Sequence, residues 1–549
     1  MASPRLKVEQ GVLKMISGQA LWPEEMVQDL QPVEVYGRTV QTYVPGPASL
    51  YETLGNTAQR FASKVAIYAE DGNRFTFSEV KQLTDQFAVY LHTEYKIGPG
   101  NRVGVLLDNG IDFITSFYAS NRLGAIIVPL PGKFRRAEID ALVARANLDL
   151  VICHPEQAAW FEDKPVVTTS SNTCACGLPL NSEKGELDPK TVLAEVPLPG
   201  IEQDSILLFT SGTTSLSKGV LLTNMNAVHA VRSYERVLEL TSDDTTIIAV
   251  PIYHVTGMIA IIGLFIYLGG SIHIQKRMEG RPFVKEIFIS EVSFVHASPT
   301  VFALMLEERD RFPELPSVQK MACGAAHMPV SRIKELHEWM PQMQFRTVYG
   351  LTESCSPAFV FPCDAAGSPY LGSSGLPIPG LEVKICDDSG AELPVGEVGE
   401  IKMRGANIAR RYDEIEIEAL TADGWLATGD VGRANSQGYI YLMDRKKDMI
   451  NRGGEKIWCI DVEEELRRLN VIADASVVGV PDPIYGEVAA AAVVLADGAN
   501  TSETQLKQEL NKRLARYQVP VYFRQVSAIP LTAGSKVDKS AVRALFVSL

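Results

Sequence analysis

The sequence predicts an α/β protein: a large N-terminal domain of layered α/β sheets with a small β-rich subdomain, then a small C-terminal α+β domain. Three observations predict it. Short β-rich runs recur between longer amphipathic segments, glycine and proline become dense from residue 367 to 399, and the pattern changes again from Ala475.

The runs are Val103-Gly104-Val105-Leu106-Leu107, Ile126-Ile127-Val128, Leu150-Val151-Ile152, Ile247-Ile248-Ala249-Val250 and Phe294-Val295-His296. Such alternation with amphipathic segments marks parallel strands covered on both faces. Residues 112–123 place Phe113, Phe117 and Leu123 at helical spacing and lead into a strand beginning at Ala125. This reads as a helix returning to a sheet. Gly372-Ser373-Ser374-Gly375 and Pro377-Ile378-Pro379-Gly380 punctuate the short strands of the β-rich subdomain. The C-terminal part reads as strands at 476–480 and 489–495, a helix at 503–516, a strand near Phe523 and a terminal helix from Val537. The charged run Asp444-Arg445-Lys446-Lys447-Asp448 precedes it as a solvated hinge.

With 549 residues, 46% of them hydrophobic, the chain can bury more than one core. Its net charge of −14 and lack of a local basic patch argue against nucleic acid as a partner. The first forty residues intersperse Glu9, Glu24, Glu25 and Asp29 with Lys and Arg and contain no signal-peptide core. The most apolar stretch, 258–268, ends at Gly269-Gly270, too short to span a bilayer, and reads as a buried helix. The eight cysteines are scattered and suggest neither a disulfide framework nor zinc knuckles, so a cytoplasmic protein is expected.

The strongest chemical signal is Thr210-Ser211-Gly212-Thr213-Thr214-Ser215-Leu216-Ser217-Lys218-Gly219, directly after the apolar run Ser205-Ile206-Leu207-Leu208-Phe209. Hydroxyls, main-chain donors and a lysine suit a polyphosphate. A Walker loop requires glycine before its lysine and Ser or Thr after it; Ser217 and Gly219 stand there instead, which disfavours a Walker-type NTPase.

Further motifs follow in order: Pro251-Ile252-Tyr253-His254-Val255-Thr256-Gly257, Tyr349-Gly350-Leu351-Thr352-Glu353, Thr428-Gly429-Asp430, the charged run at 444–448, and Pro530-Leu531-Thr532-Ala533-Gly534-Ser535-Lys536. Together they resemble the adenylate-forming superfamily of acyl-CoA synthetases, adenylation enzymes and luciferases, from about residue 50 to the C-terminus. The resemblance implies an acyl- or aryl-CoA ligase, with ATP and CoA as co-substrates and Mg2+ as cofactor. A stand-alone adenylation enzyme loading a separate carrier protein is the alternative it leaves open.

The resemblance also implies roles. Thr210, Ser211, Gly212, Thr213, Thr214 and Lys218 hold the β- and γ-phosphates; Thr352 binds the α-phosphate and Glu353 the metal. Tyr349, with Gly350 beside it, stacks on adenine, and Gly324, Ala325 and Ala326 lie along its edge. Asp430 and Arg445 bind the ribose. Lys536 bridges the attacking carboxylate and the α-phosphate, and His254 gates the acyl pocket. Gly453 and Gly454 leave room for a pantetheine arm. The implied division is residues 1–444 for acid and ATP, a hinge at 445–447 centred on Lys447, and a mobile C-terminal domain at 448–549. Ser215, Ser217 and Ser535 stand where the family commonly carries Gly or Pro, which bears on rate and loop closure. The acid pocket is expected from the segments around 229–234, 254–258, 324–327 and 348–358. These are mostly apolar or small, which suits a hydrophobic aryl or medium-chain acid.

Overall fold

The computed structural model describes residues 15–169, 188–210, 218–248, 250–413, 419–532 and 536–546. The chain divides into two compact units, Ser17–Glu382 with Met403–Leu426, and Val383–Lys402 with Ala427–Leu549.

Two sheets organise the first unit. One runs in spatial order Leu376–Pro377, Phe359–Val360, Gln344–Tyr349, Lys320–Cys323, Phe294–Ala297, Thr245–Ile248, Ser271–Ile274, Val65–Tyr68, Arg74–Thr76. From Gln344–Tyr349 to Val65–Tyr68 every pairing is parallel, and the pairings at both edges are antiparallel. The other runs Arg411–Tyr412, Gly219–Thr223, Asp204–Phe209, Ile126–Pro129, Arg102–Leu106, Leu150–Cys153, Val166–Thr168. Ile126–Pro129, Leu150–Cys153 and Phe294–Ala297 are buried at every position, as expected of parallel strands covered on both faces. The helix expected at 112–123 is Ile111–Arg122, buried everywhere except Asp112. Asn224–Leu238 is similarly enclosed, buried everywhere except Glu235 and Arg236, and it carries polar side chains into the core, where Asn226 donates to the carbonyls of Ala406 and Ile408. The apolar stretch after His254 is the expected buried helix. It begins with π-type hydrogen bonding over Thr256–Gly263, continues as Leu264–Leu268 and stops at Gly269 with φ 84°.

The second unit holds two five-stranded sheets. The first has the order Met15–Ser17, Glu382–Cys386, Gly399–Arg404, Leu426–Ala434, Ile440–Arg445, its residues at 17, 382, 403–404 and 426 being counted with the first unit. In the second, Glu455–Ile457, Ile450–Arg452, Gly486–Leu495 and Ile472–Asp482 are neighbours in that order, and Tyr522–Gln525 also pairs with Gly486–Leu495. Alternation along Gly486–Leu495 explains its position: Ala489, Ala491 and Val493 enter one hydrophobic cluster, and Val488, Ala490 and Ala492 the other. The expected helix at 503–516 is regular only over Glu503–Leu510. It continues as turns in which Arg513 N and Leu514 N both donate to the Leu510 carbonyl, at 2.9 and 2.8 Å, and which keep Leu514 on the core. No helix among the described residues is long and apolar enough to cross a membrane.

Candidate active site

The strands that flank the expected phosphate loop pair antiparallel. Strand Asp204–Phe209 leads into Thr210, whose N–H donates to the Lys218 carbonyl at 2.9 Å, and Gly219–Thr223 returns antiparallel. A Walker loop would instead open a helix. Ser211, Gly212, Thr213 and Thr214 lie outside the described residues. The Lys218 ammonium stands 5.7 Å from the ring centre of Tyr412, which reaches this position because Arg411–Tyr412 pairs with Gly219–Thr223. The Tyr412 hydroxyl donates to Glu353 Oε1 at 3.0 Å. Burial, followed by the adjacent Glu353 charge, pushes the Tyr412 pKa up, so its proton stays in that bond. The structure thus brings Lys218, Tyr412 and Glu353 together. Asp413 fixes the next position through bonds of 2.6 and 2.8 Å from Arg102.

Thr352 and Glu353 are presented by a tight turn after strand Gln344–Tyr349. A Cβ at Gly350 would overlap the Ser356 carbonyl oxygen, so the turn requires glycine there. Fully buried Asn407 donates to the carbonyls of Ser354 at 3.1 Å and Pro357 at 2.7 Å, and the Glu353 carbonyl accepts from Ala409 N at 2.7 Å. One face of Tyr349 stacks on its cross-strand partner Phe359, with centroids 4.9 Å apart. Gly324 is buried at the end of strand Lys320–Cys323, next to Gln344–Tyr349 in the sheet; Ala325, with φ 69°, and Ala326 are exposed.

His254 is half-buried on the turn before the π-helix, its ring 4.6 Å from that of Tyr253. Asn109 shapes that turn, donating to the carbonyls of Val250 and Gln275 at 3.0 Å each and accepting from Ile252 N at 2.9 Å. A Cβ at Gly257 would lie 2.9 Å from Ile252 Cα and Pro251 O, so the turn closes only on a residue without one. His229, expected near the acid pocket, is committed to the core. It donates from Nε2 to the Pro379 carbonyl and accepts at Nδ1 from Thr42, each at 3.1 Å, and burial lowers its pKa to about 3.

In the second unit Asp430 and Arg445 are cross-strand partners joined by a 2.9 Å ion pair. Lys446 pairs with Asp388 at 3.1 Å and Glu400 at 3.3 Å. Gly453 and Gly454, at φ 60° and 98°, form the two-residue turn between Ile450–Arg452 and Glu455–Ile457, where both positions need positive φ. Lys536 is exposed in a loop closed by Thr532 N donating to its carbonyl at 2.7 Å.

The sequence signals pointed to neither Tyr412, Asn407 nor Asn109. Each acts through contacts distant in the chain, and no local pattern announces such contacts. Among the described residues no group of three or more His, Cys, Asp or Glu could hold a metal by itself. Glu353 remains: with one oxygen bonded to Tyr412, it can offer the other to a cation.

The chain matches the AMP-binding enzyme family over residues 54–413 and the AMP-binding enzyme C-terminal domain over 461–536. It is 30% identical over 480 residues to a feruloyl-CoA synthase of an Amycolatopsis species, covering 86% of this chain and 94% of the relative. A sulfoacetate–CoA ligase of Cupriavidus necator is 30% identical over 457 residues, covering 81% and 87%. Among solved structures, the o-succinylbenzoate CoA synthetase of Bacillus subtilis with its acyl-adenylate intermediate superposes with a TM-score of 0.76 at 26% identity. That superposition covers 91% of this chain and 99% of the other.

Proposed function

The chain belongs to the AMP-binding enzyme family, and from that premise we propose an ATP-dependent acid–CoA ligase. An acid carboxylate attacks the α-phosphorus of ATP and expels pyrophosphate; the CoA thiolate then attacks the acyl carbon and expels AMP. The named relatives are CoA ligases, which favours free CoA over a carrier protein as acceptor.

The observation that carries this reading is the Lys218–Tyr412–Glu353 arrangement, in which Lys218 closes the Ser/Thr-rich stretch of the sequence. Adenylation brings two anions together, so positive charge and fixed donors must meet the triphosphate. Lys218 supplies charge at the β- and γ-phosphates, and Thr352 donates to the α-phosphate. Magnesium fits Glu353, because this cation needs only one or two carboxylates when substrate phosphates complete its shell. Bound there, it would neutralise phosphate charge. Asp430 accepts from the ribose hydroxyls, with Arg445 holding its carboxylate in place. Lys536 neutralises the carboxylate and α-phosphate as they approach, and His254 keeps water from the acyl side. The hinge at 445–447 turns residues 448–549 between the two steps, so that Gly453 and Gly454 admit the pantetheine arm.

The decisive assay is acid-dependent AMP and pyrophosphate formation over a panel of aryl and aliphatic acids, with and without CoA. Acyl-CoA with stoichiometric AMP is the expected result. Pyrophosphate release that CoA does not accelerate would transfer the reading to carrier loading, and no acid-dependent release would end it.

A further inference from the structure

His296 has no part in the reading above. It lies on strand Phe294–Ala297, is 2% exposed, and has no hydrogen-bond partner at Nδ1. Burial lowers its pKa to about 4, so the imidazole is neutral and carries one N–H and one lone pair. A buried polar atom without a partner is destabilising and calls for an explanation. The ring stands edge-on to Tyr234, with centroids 5.9 Å apart. Its Nε2 would lie 3.5 Å from a Cβ added at Gly324, so the imidazole packs directly against this glycine. The Tyr234 hydroxyl bonds Ser356 Oγ at 2.9 Å, both residues being buried. Two hydroxyls sharing one hydrogen bond keep one proton uncommitted. These groups adjoin Gly324 and the 349–356 turn, the small-residue edge and the phosphate-facing turn of the proposed site.

We propose that His296 and the Tyr234–Ser356 pair form the polar end of the acid-binding site, which takes a monocarboxylic acid whose hydrophobic body ends in a neutral hydrogen-bonding group such as a hydroxyl or ketone. This rests on the acid–CoA ligase reading. A second anionic group is disfavoured because His296, Tyr234 and Ser356 offer it no positive charge: burial keeps the imidazole neutral and the Tyr234 hydroxyl protonated. A neutral imidazole cannot neutralise a buried carboxylate or sulfonate, and an unpaired buried anion is strongly unfavourable. A hydroxyl, which both donates and accepts, matches an imidazole and a spare O–H proton.

The test compares kcat/KM for thioester formation on two frames. The aryl frame is 3-phenylpropanoate, its 4-hydroxy form and its 4-carboxy form; the aliphatic frame is octanoate, 7-oxooctanoate and octanedioate. On at least one frame the neutral polar acid should exceed both its parent and its dianion by about tenfold, the worth of one well-placed hydrogen bond. His296→Leu should bring the ratio of polar acid to parent within about twofold, with His296→Gln restoring part of it. Should His296→Leu fail to fold, Tyr234→Phe with Ser356→Ala should lower the same ratio. A wild-type preference for the parent or the dianion, or a ratio that survives these substitutions, overturns the proposal while leaving the ligase intact. Absence of AMP formation with every acid overturns the ligase reading, and the proposal falls with it.

Discussion

Glu353 and Lys218 meet through an intermediary, the Tyr412 ring, which faces the ammonium while its hydroxyl holds the carboxylate. Tyr412→Phe keeps the ring and removes the bond to a charged acceptor, worth roughly 1.5–3 kcal/mol. Acid-dependent pyrophosphate exchange should fall about 10- to 100-fold with a raised KM for Mg-ATP, and an unchanged KM would refute the positioning role. Lys536→Ala removes the charge proposed to bridge carboxylate and α-phosphate; adenylation should fall by roughly 3 kcal/mol or more in the same assay. Lys218 and Glu353 were legible in sequence because each lies in a compact motif with a chemical rationale. Tyr412 was not, because its place depends on the pairing of Arg411–Tyr412 with a strand far back in the chain. His229 shows the converse: its segment was expected to line the acid pocket, but its bonds to Thr42 and Pro379, which no local pattern announces, commit the imidazole to the core.

At the scale of elements, the helix Cys459–Arg467 depends on charges buried beneath it. Lys539 Nζ lies 2.5 Å from Glu463 Oε1 and donates to the Val477 carbonyl at 2.6 Å, while Glu463 accepts from Val477 N at 2.8 Å. Burial pushes the Glu463 carboxyl up, but Lys539 and Arg467 outweigh it and hold its pKa below 4.5. Burial likewise opposes the Lys539 charge, and Glu463 raises its pKa above 10.5 despite it. The lowered Glu463 contributes stability above its unfolded pKa, lost as pH falls through the folded value. The raised Lys539 contributes below its own unfolded pKa, lost as pH rises through the folded value. The pair is therefore fully stabilising between about 4.5 and 10.5. Lys539→Met leaves the buried Glu463 to Arg467, 3.6 Å away, and should cost about 3 kcal/mol, read as a fall in the unfolding midpoint at pH 7 that narrows as pH falls below 4.5. A midpoint deficit that stays constant down to pH 3 would exclude the pair as its cause. Strands were legible where a buried parallel strand is an apolar run, as at Ile126–Pro129 and Leu150–Cys153, but Ser271–Ile274, equally buried and interrupted by Ser271 and His273, was not. Boundaries shifted where the turn chemistry decided them, as in the helix that stops being regular at Leu510.

On the scale of the molecule, the order of regions was readable, but the grouping of residues 383–402 with the C-terminal part was not. That grouping comes from a sheet in which Gly399–Arg404 joins Leu426–Ala434 and Ile440–Arg445, a pairing invisible to local pattern. The sheet ends at Arg445, so the chain leaves it where the hinge is proposed. Lys536, assigned to adenylation, and the Gly453-Gly454 turn, assigned to thioester formation, lie on separate loops, both beyond residue 447. If one body presents each loop in turn, the chain at 445–447 must change its backbone angles between the steps. Lys447→Pro fixes φ near −65° and removes that freedom. With the fold retained by thermal unfolding, single-turnover formation of acyl-AMP should continue, while conversion of acyl-AMP to acyl-CoA should slow at least about a hundredfold because the hinge motion gates only the second step. Equal loss in both steps would mean that Lys447 supports a single static site, and unchanged thioester formation would place the pivot elsewhere in the chain.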